Sequence, residues 1–441
     1  MTVRRILLVL VVVGGGARIF WVAHAGIPPR FTSDPEAYLL QGEAIAKGEG
    51  YTNPLIDIAN AQRRRDHQPE VARQPTSFYP PGYPALVAAV AWTVWHTPIP
   101  DGDLVRAIEY VQAVIGALTI LLVFLLARRV FDVRTGLIAA AIVAFYPNLI
   151  TITATLQLET VFVALSLLAV LVLVPAATGE DPRVIRLVAG GALTGAVALV
   201  RPTIALLVLA FLVTRWVMRC PWRKIVRDFA LVMISMIAVI VPWTIRNAVA
   251  LHTFVPVSTG IGPALCMSRN QEATGGLDTN ILVRQCSPHN EKFAPGAGDA
   301  AANTYATRRA IHWVLAHPLE EVKFWWWRTD LAYRHDTSGL DQYEPQMSHN
   351  ARRIANTVSD DASFIVLGLA FIGAAVVVTG RRPARGVFLV ATTLAFASVP
   401  AILFGDPRYR VPAEPFFAIL AAVPLAFGFA VLTRRRPVAS K

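Results

Sequence analysis

Runs of about 20 apolar residues, separated by short segments that carry arginine, decide what this 441-residue chain can fold into. Coiled as a helix, such a run matches the hydrocarbon thickness of a bilayer. Composition agrees: 55% of residues are hydrophobic, only 16% are charged, and mean hydropathy is +0.50. Those values are wrong for a soluble domain. A net charge of +12 raises the question of nucleic acid, but the basic residues sit between apolar runs. They gather at Arg4-Arg5, Arg128-Arg129 with Arg134, Arg183 with Arg186, Arg215 to Arg227, Arg381 to Arg385 and Arg434 to Arg436. Short basic segments beside spans mark the cytoplasmic side of a membrane, so the charge is a topology signal and no nucleic-acid partner is expected.

Ten spans satisfy that rule, near 5–23, 104–127, 136–150, 155–175, 187–200, 203–219, 228–246, 363–380, 386–404 and 412–432. The expected fold class is therefore an all-α integral membrane bundle of about ten helices. The N-terminal bundle covers 1–246 and includes an outer loop at 24–103; a second outer loop covers 247–362; the last helices cover 363–441. Ala85–Trp95 is apolar but short and flanked by Pro84 and Pro98, so it is expected to lie in the outer interface. A second interfacial helix is expected over 302–333, where Trp313 and Trp325-Trp326-Trp327 accompany Arg308, Arg309, Lys323 and Arg328. Arg4-Arg5, an apolar run and Ala23-His24-Ala25 also resemble a signal peptide. Arg18 interrupts that run, and the first helix is expected to be retained.

Chemistry-bearing residues collect on the outer side. All nine histidines fall there, at 24, 67, 96, 252, 289, 312, 317, 335 and 349, without an HExxH or an i,i+4 pair. No metal site is expected from them, and no cofactor, although a divalent ion is left open. Asp34 follows the first span in Thr32-Ser33-Asp34-Pro35-Glu36-Ala37-Tyr38. Glu159 lies near the outer boundary of the fourth span, where an intramembrane acid is costly enough to signal function. Arg201, Arg246, Arg408 and Arg410 fall at the same boundary. Cys266 and Cys286 share the outer loop, where a disulfide persists. Closing that 20-residue separation contributes about 3 kcal/mol. Cys220 lies in a cytoplasmic loop and is expected to stay free.

The order of these pieces resembles the C-type membrane glycosyltransferases. It is closest to the family 39 group, with protein O-mannosyltransferases and the aminoarabinose transferases that modify lipid A. The matching motifs are Asp34-x-x-x-Tyr38, Pro80-Pro81-Gly82-Tyr83-Pro84, Leu158-Glu159-Thr160, Arg246-Asn247 with Val255 to Thr259, and Arg408-Tyr409-Arg410-x-Pro412. Two positions depart from the group: Pro35 stands where an Asp-Glu pair is common, and Phe78-Tyr79 replace an acid-lysine pair.

The resemblance implies transfer of a sugar, with inversion, from a polyprenyl-phosphate donor at the outer face of a bacterial cytoplasmic membrane. The acceptor is a lipid, glycan or protein hydroxyl, and membrane lipids are the other partners. By resemblance, Asp34 is the base and basic residues hold the donor phosphate. Arg246 is expected to hold it mainly, helped by Arg408 or Arg410, with Arg201 next in line. Glu159 is expected to face the same cavity as Asp34, positioning the acceptor or orienting a basic group, and Tyr38, Tyr83 and Tyr409 are expected to line the substrate site. The chemistry fits these residue types. A lipid phosphate is a good leaving group, so the reaction needs a carboxylate for the acceptor proton and guanidinium groups for the phosphate charge. The competing reading is a transporter or flippase of a lipid-linked or anionic substrate. It requires polar residues through several spans, which here are mostly Ala, Val, Leu and Ile, and no internal repeat is visible.

Overall fold

In a computed structural model, residues 2–26, 34–97, 103–286, 298–343, 346–380 and 383–434 are described. Thr32, Ser33, His289, Arg381 and Arg435-Arg436 lie outside them. The described residues form helices joined by turns, with two isolated bridges and no strand. In chain order the helices are α1 (Val3–His24), α2 (Asp34–Ala46), α3 (Pro54–Arg65), α4 (Gly82–His96), α5 (Leu104–Val130), α6 (Val133–Phe145), α7 (Pro147–Thr151), α8 (Glu159–Thr178), α9 (Val184–Ala198), α10 (Leu206–Val217) and α11 (Trp222–Leu251). They continue with α12 (Ile261–Met267), α13 (Thr279–Cys286), α14 (Gly298–Ala316), α15 (Pro318–Tyr333), α16 (His349–Thr379), α17 (Pro383–Ala397), α18 (Val399–Ile402) and α19 (Glu414–Arg434).

Among the described residues, six helices are long and apolar enough to cross a membrane: α1, α5, α8, α11, α16 and the stretch ending in α19. A seventh is broken, α6 with residues 147–154, bent by 63°. Three shorter apolar helices, α9, 202–217 and 384–397, occupy the remaining expected places. The chain is thus a multi-pass membrane protein.

α8 is the central helix. It packs on α5, α9, α10 and α17, and Phe162, Leu167, Ala169, Val170 and Leu173 are buried along it. α1, α11 and α16 lie at the periphery with most of their apolar surface exposed, as lipid-facing helices must.

Proline sets the breaks. The expected third span bends at Tyr146-Pro147, because Pro147 has no N–H for the carbonyl four residues back. The single helix expected over 302–333 is two, α14 and α15, because Pro318 starts a new helix at its first turn. The expected ninth span ends at Ala397, and α18 follows with Pro400 in its first turn. α11 runs five residues past Arg246, to Leu251, so Arg246 sits within its last turns and does not end it.

The segment around 85–95 is helical as α4, and α2 packs against it. At Gly42 the two helices come so close that an added Cβ would lie 2.2 Å from Val87 Cγ1. Cys266 and Cys286 are joined in a disulfide that ties α12 to α13, with a Cα separation of 5.8 Å. Cys220 is free.

Candidate active site

One end of the bundle brings together the beginnings of α2 and α8, the turn after α9 and the segment before α19. Asp34 is the first residue of α2. Its Oδ1 accepts a hydrogen bond from the Tyr79 hydroxyl at 2.6 Å, and its Oδ2 accepts one from Arg408 Nη2 at 2.9 Å. A third of the Asp34 side chain remains exposed, so an incoming hydroxyl has access to the carboxylate.

Glu159, the first residue of α8, is fully buried. Its Oε1 accepts from Arg201 Nη1 at 3.2 Å and lies 3.5 Å from Arg408 Nε. The Arg201 guanidinium is held over the Tyr409 ring, 4.4 Å from its centroid, a favourable cation–π placement. Two carboxylates and two guanidiniums therefore alternate as Asp34, Arg408, Glu159, Arg201, and their charges sum to zero.

Local sequence explains who joins this cluster. Asp406 caps the turn Pro407–Tyr409 by accepting from the Arg408 backbone N–H at 2.8 Å. In that helical turn Arg408 and Arg410 point apart, where an extended strand would have aligned them. Arg408 reaches Asp34. Arg410 enters a separate buried cluster, 3.0 Å from Asp336 and 3.5 Å from Glu414, with a hydrogen bond to the Ser363 hydroxyl. Of the two arginines in the Arg408-Tyr409-Arg410 motif, the structure brings only Arg408 to Asp34 and Glu159.

Arg246 also lies apart. It donates to the backbone carbonyls of Thr76 at 2.6 Å and Tyr51 at 2.7 Å, with its guanidinium near the Tyr51 and Trp243 rings. Its fork is occupied in fixing the segment that carries Tyr79. Tyr38, one turn along α2 from Asp34, packs on Tyr79 and Tyr83 with centroids 4.7 and 5.0 Å apart. The Tyr83 hydroxyl turns away and donates to Gln112 Oε1 at 3.2 Å, so Tyr83 forms the wall behind Tyr38.

Tyr79 joins the cluster without being one of the residues the sequence pattern points to. The signal for it was the rigid Phe-Tyr-Pro-Pro turn, which presents a side chain at a fixed angle. Burial alone pushes the Asp34 carboxyl up. The Arg408 guanidinium, the Tyr79 hydrogen bond and Arg201 outweigh it and hold the group below the ordinary carboxylate value. Asp34 is thus an anion with its charge partly spoken for. Among the described residues, no three His, Cys, Asp or Glu side chains gather as metal ligands.

Residues 85–245 match the family described as dolichyl-phosphate-mannose-protein mannosyltransferase. The structure of the oligosaccharyltransferase AglB from Archaeoglobus fulgidus, in complex with an inhibitory peptide and a dolichol-phosphate, superposes with a TM-score of 0.56 at 15% identity. The match covers 100% of this chain and 52% of that one. ArnT from Cupriavidus metallidurans bound to undecaprenyl phosphate superposes with a TM-score of 0.54 at 16% identity, over 97% of this chain and 62% of that one. The fold is that of the C-type membrane glycosyltransferases. This chain spans about half the length of the archaeal structures it matches. No curated protein sequence matches it.

Proposed function

We propose that this protein transfers a sugar from a polyprenyl-phosphate donor to an acceptor hydroxyl, with inversion, at the outer face of a bacterial cytoplasmic membrane. The observation that carries the reading is the Asp34 carboxylate, a third exposed and held between Tyr79 and Arg408 beside the Glu159–Arg201 pair. The polyprenyl phosphates named in the AglB and ArnT structures, on the same fold, support that donor class.

In this reading the acceptor oxygen attacks the anomeric carbon while its proton passes to Asp34. The bond from that carbon to the phosphate oxygen breaks, and the lipid phosphate departs with the electron pair. Arg408 and Arg201 stabilise the charge on that phosphate through planar guanidinium contacts. The resting cluster is neutral, so a phosphodiester adds a negative charge that the arginines must share. When the phosphate draws Arg408 away, Asp34 loses its strongest opposing charge and gains proton affinity. Donor binding thereby makes Asp34 a better base.

Turnover of Asp34→Asn, with a polyprenyl-phosphate sugar, tests the assignment. The variant keeps the hydrogen bonds to Tyr79 and Arg408 within reach but cannot take a proton. Its turnover is expected to fall about 10²–10⁴-fold with donor affinity retained. Turnover equal to the parent's removes Asp34 from the reaction.

A further inference from the structure

Away from the carboxylate cluster, a cleft of about 590 Å³ opens between α14 and the turn that follows α11. His252 adopts a left-handed backbone, φ 54°, which ends α11 and brings Thr253 to the mouth of the cleft. The other wall is one face of α14, where Thr304, Tyr305, Arg308, Arg309 and His312 follow at helical spacing. Among the described residues, two guanidiniums, an imidazole and three hydroxyls thus line it, with no carboxylate.

One of the two guanidiniums is held in place. Arg309 Nη2 donates to Gln285 Oε1 at 2.7 Å, and Gln285 Nε2 in turn donates to Glu272 at 2.6 Å. Gln285 precedes Cys286, whose disulfide to Cys266 fixes α13 against α12. Arg309 is therefore oriented by a cross-linked unit, with its remaining donors free to face the cleft. α14 is itself anchored where Asp299 accepts a hydrogen bond from the Thr76 hydroxyl.

Apolar side chains on the same surface continue outward. Phe254 beside Thr253, and Ile311 and Leu315 on α14, are exposed. Leu319, Val322 and Trp326 extend the exposed apolar surface along α15. A cleft lined by two arginines next to an exposed apolar face suits an amphiphile with an anionic head. Guanidinium forks select phosphate oxygens, and hydrocarbon covers the adjoining side chains.

We propose that this cleft binds the phosphate-bearing headgroup of an anionic lipid. The assignment stands independently of the sugar-transfer reading, because its readout is lipid retention and not turnover.

The test uses the full chain in micelles with equal phosphatidylglycerol and phosphatidylcholine, counting retained lipids by native mass spectrometry. The parent is expected to retain phosphatidylglycerol in preference, and Arg308→Gln/Arg309→Gln to lose that preference by about tenfold or more. Arg63→Gln/Arg64→Gln removes two arginines outside the cleft, on α3, and is expected to leave retention as in the parent. Arg308→Glu alone provides a second variant in the same direction. Undiminished preference in the cleft variants overturns the proposal, as does equal loss in the Arg63/Arg64 control. Displacement of the lipid by inorganic phosphate at the same concentration also overturns it, since that marks a free-phosphate site. Parent-level sugar transfer in a cleft variant that has lost the preference leaves both readings standing, whereas an inactive parent that still selects the lipid bears only on the transfer reading.

Discussion

Asp34 keeps its charge because Arg408 and Tyr79 oppose the effect of burial, and this fixes how the site responds to pH. A carboxyl held below its unfolded value contributes stability above that value and loses it as pH falls through the folded value. At limiting donor, where the rate reports the donor-free enzyme, it is expected to be flat from about pH 5 upward, since an ordinary aspartate titrates near 3.9. Arg408→Gln removes the largest opposing charge, so burial then prevails and the Asp34 carboxyl moves up. The acid limb of the residual rate should shift to higher pH in that variant. The thermal midpoint, compared with the Arg408→Gln/Asp34→Asn double variant, should show Asp34 becoming unfavourable to folding as it ionises. An acid limb that stays where the parent has it would separate Arg408 from Asp34 and sink the coupling. Which arginine approaches Asp34 could not be read from the Arg-Tyr-Arg spacing, because the answer depends on whether Asp406 caps a turn. The convergence itself was legible: Asp34, Glu159, Arg201 and Arg408 were each placed at one membrane boundary by the span pattern.

At the scale of elements, apolar run length predicted the helices well, and prolines decided where the runs break. What the pattern could not show is how the broken span is tolerated. Pro147 cannot donate to the Val143 carbonyl, and the end of α6 leaves its last carbonyls without intrahelical partners. Arg18 of α1 supplies the missing donors: Nη2 reaches Val143 O at 3.0 Å, and Nη1 reaches Ala144 O at 3.2 Å and Gly14 O at 2.8 Å. A cation at a helix C-terminus is also favoured by the helix dipole. In sequence, Arg18 read only as an interruption in an apolar run, since its partners lie more than a hundred residues away. Arg18→Met keeps most of the volume but leaves two buried carbonyls unpaired, costing about 2–4 kcal/mol. Gly116→Ala should act in the same direction, because its Cβ would meet Arg18 Cδ and Nε at 2.9 Å. Thermal midpoints in membrane mimetics check both; an Arg18→Met midpoint matching the parent's would refute the capping role.

On the scale of the whole molecule, a buried polar hub joins parts of the chain that are distant in sequence. The Asn148 side-chain Nδ2 of α7 donates to Asp336 at 2.7 Å and to Glu414 at 2.9 Å, while its Oδ1 accepts from the Ser338 hydroxyl and the Gly339 N–H. Arg410 completes it by pairing with Asp336 and Glu414 and by reaching Ser363 of α16. The hub therefore connects the broken third span, the segment after α15, α16 and the start of α19. Arg410 stands two residues from Arg408, so the hub also fixes the turn that aims Arg408 at Asp34. We assign Arg410 a positioning role, exerted through the backbone, in place of contact with the donor phosphate. Removing one partner of a buried ionic cluster leaves the others unpaired, and Arg410→Ala should destabilise the protein by about 3–5 kcal/mol. Arg410→Lys keeps the charge but loses the fork that spans Asp336, Glu414 and Ser363. If positioning is its role, folded Arg410→Lys should bind donor with near-parent affinity while turnover falls, because Arg408 is misaimed. Direct contact with the phosphate would instead weaken donor binding in step with turnover. Measuring donor affinity and turnover on the same folded preparation separates the two, and a parallel loss in both would return Arg410 to the phosphate site.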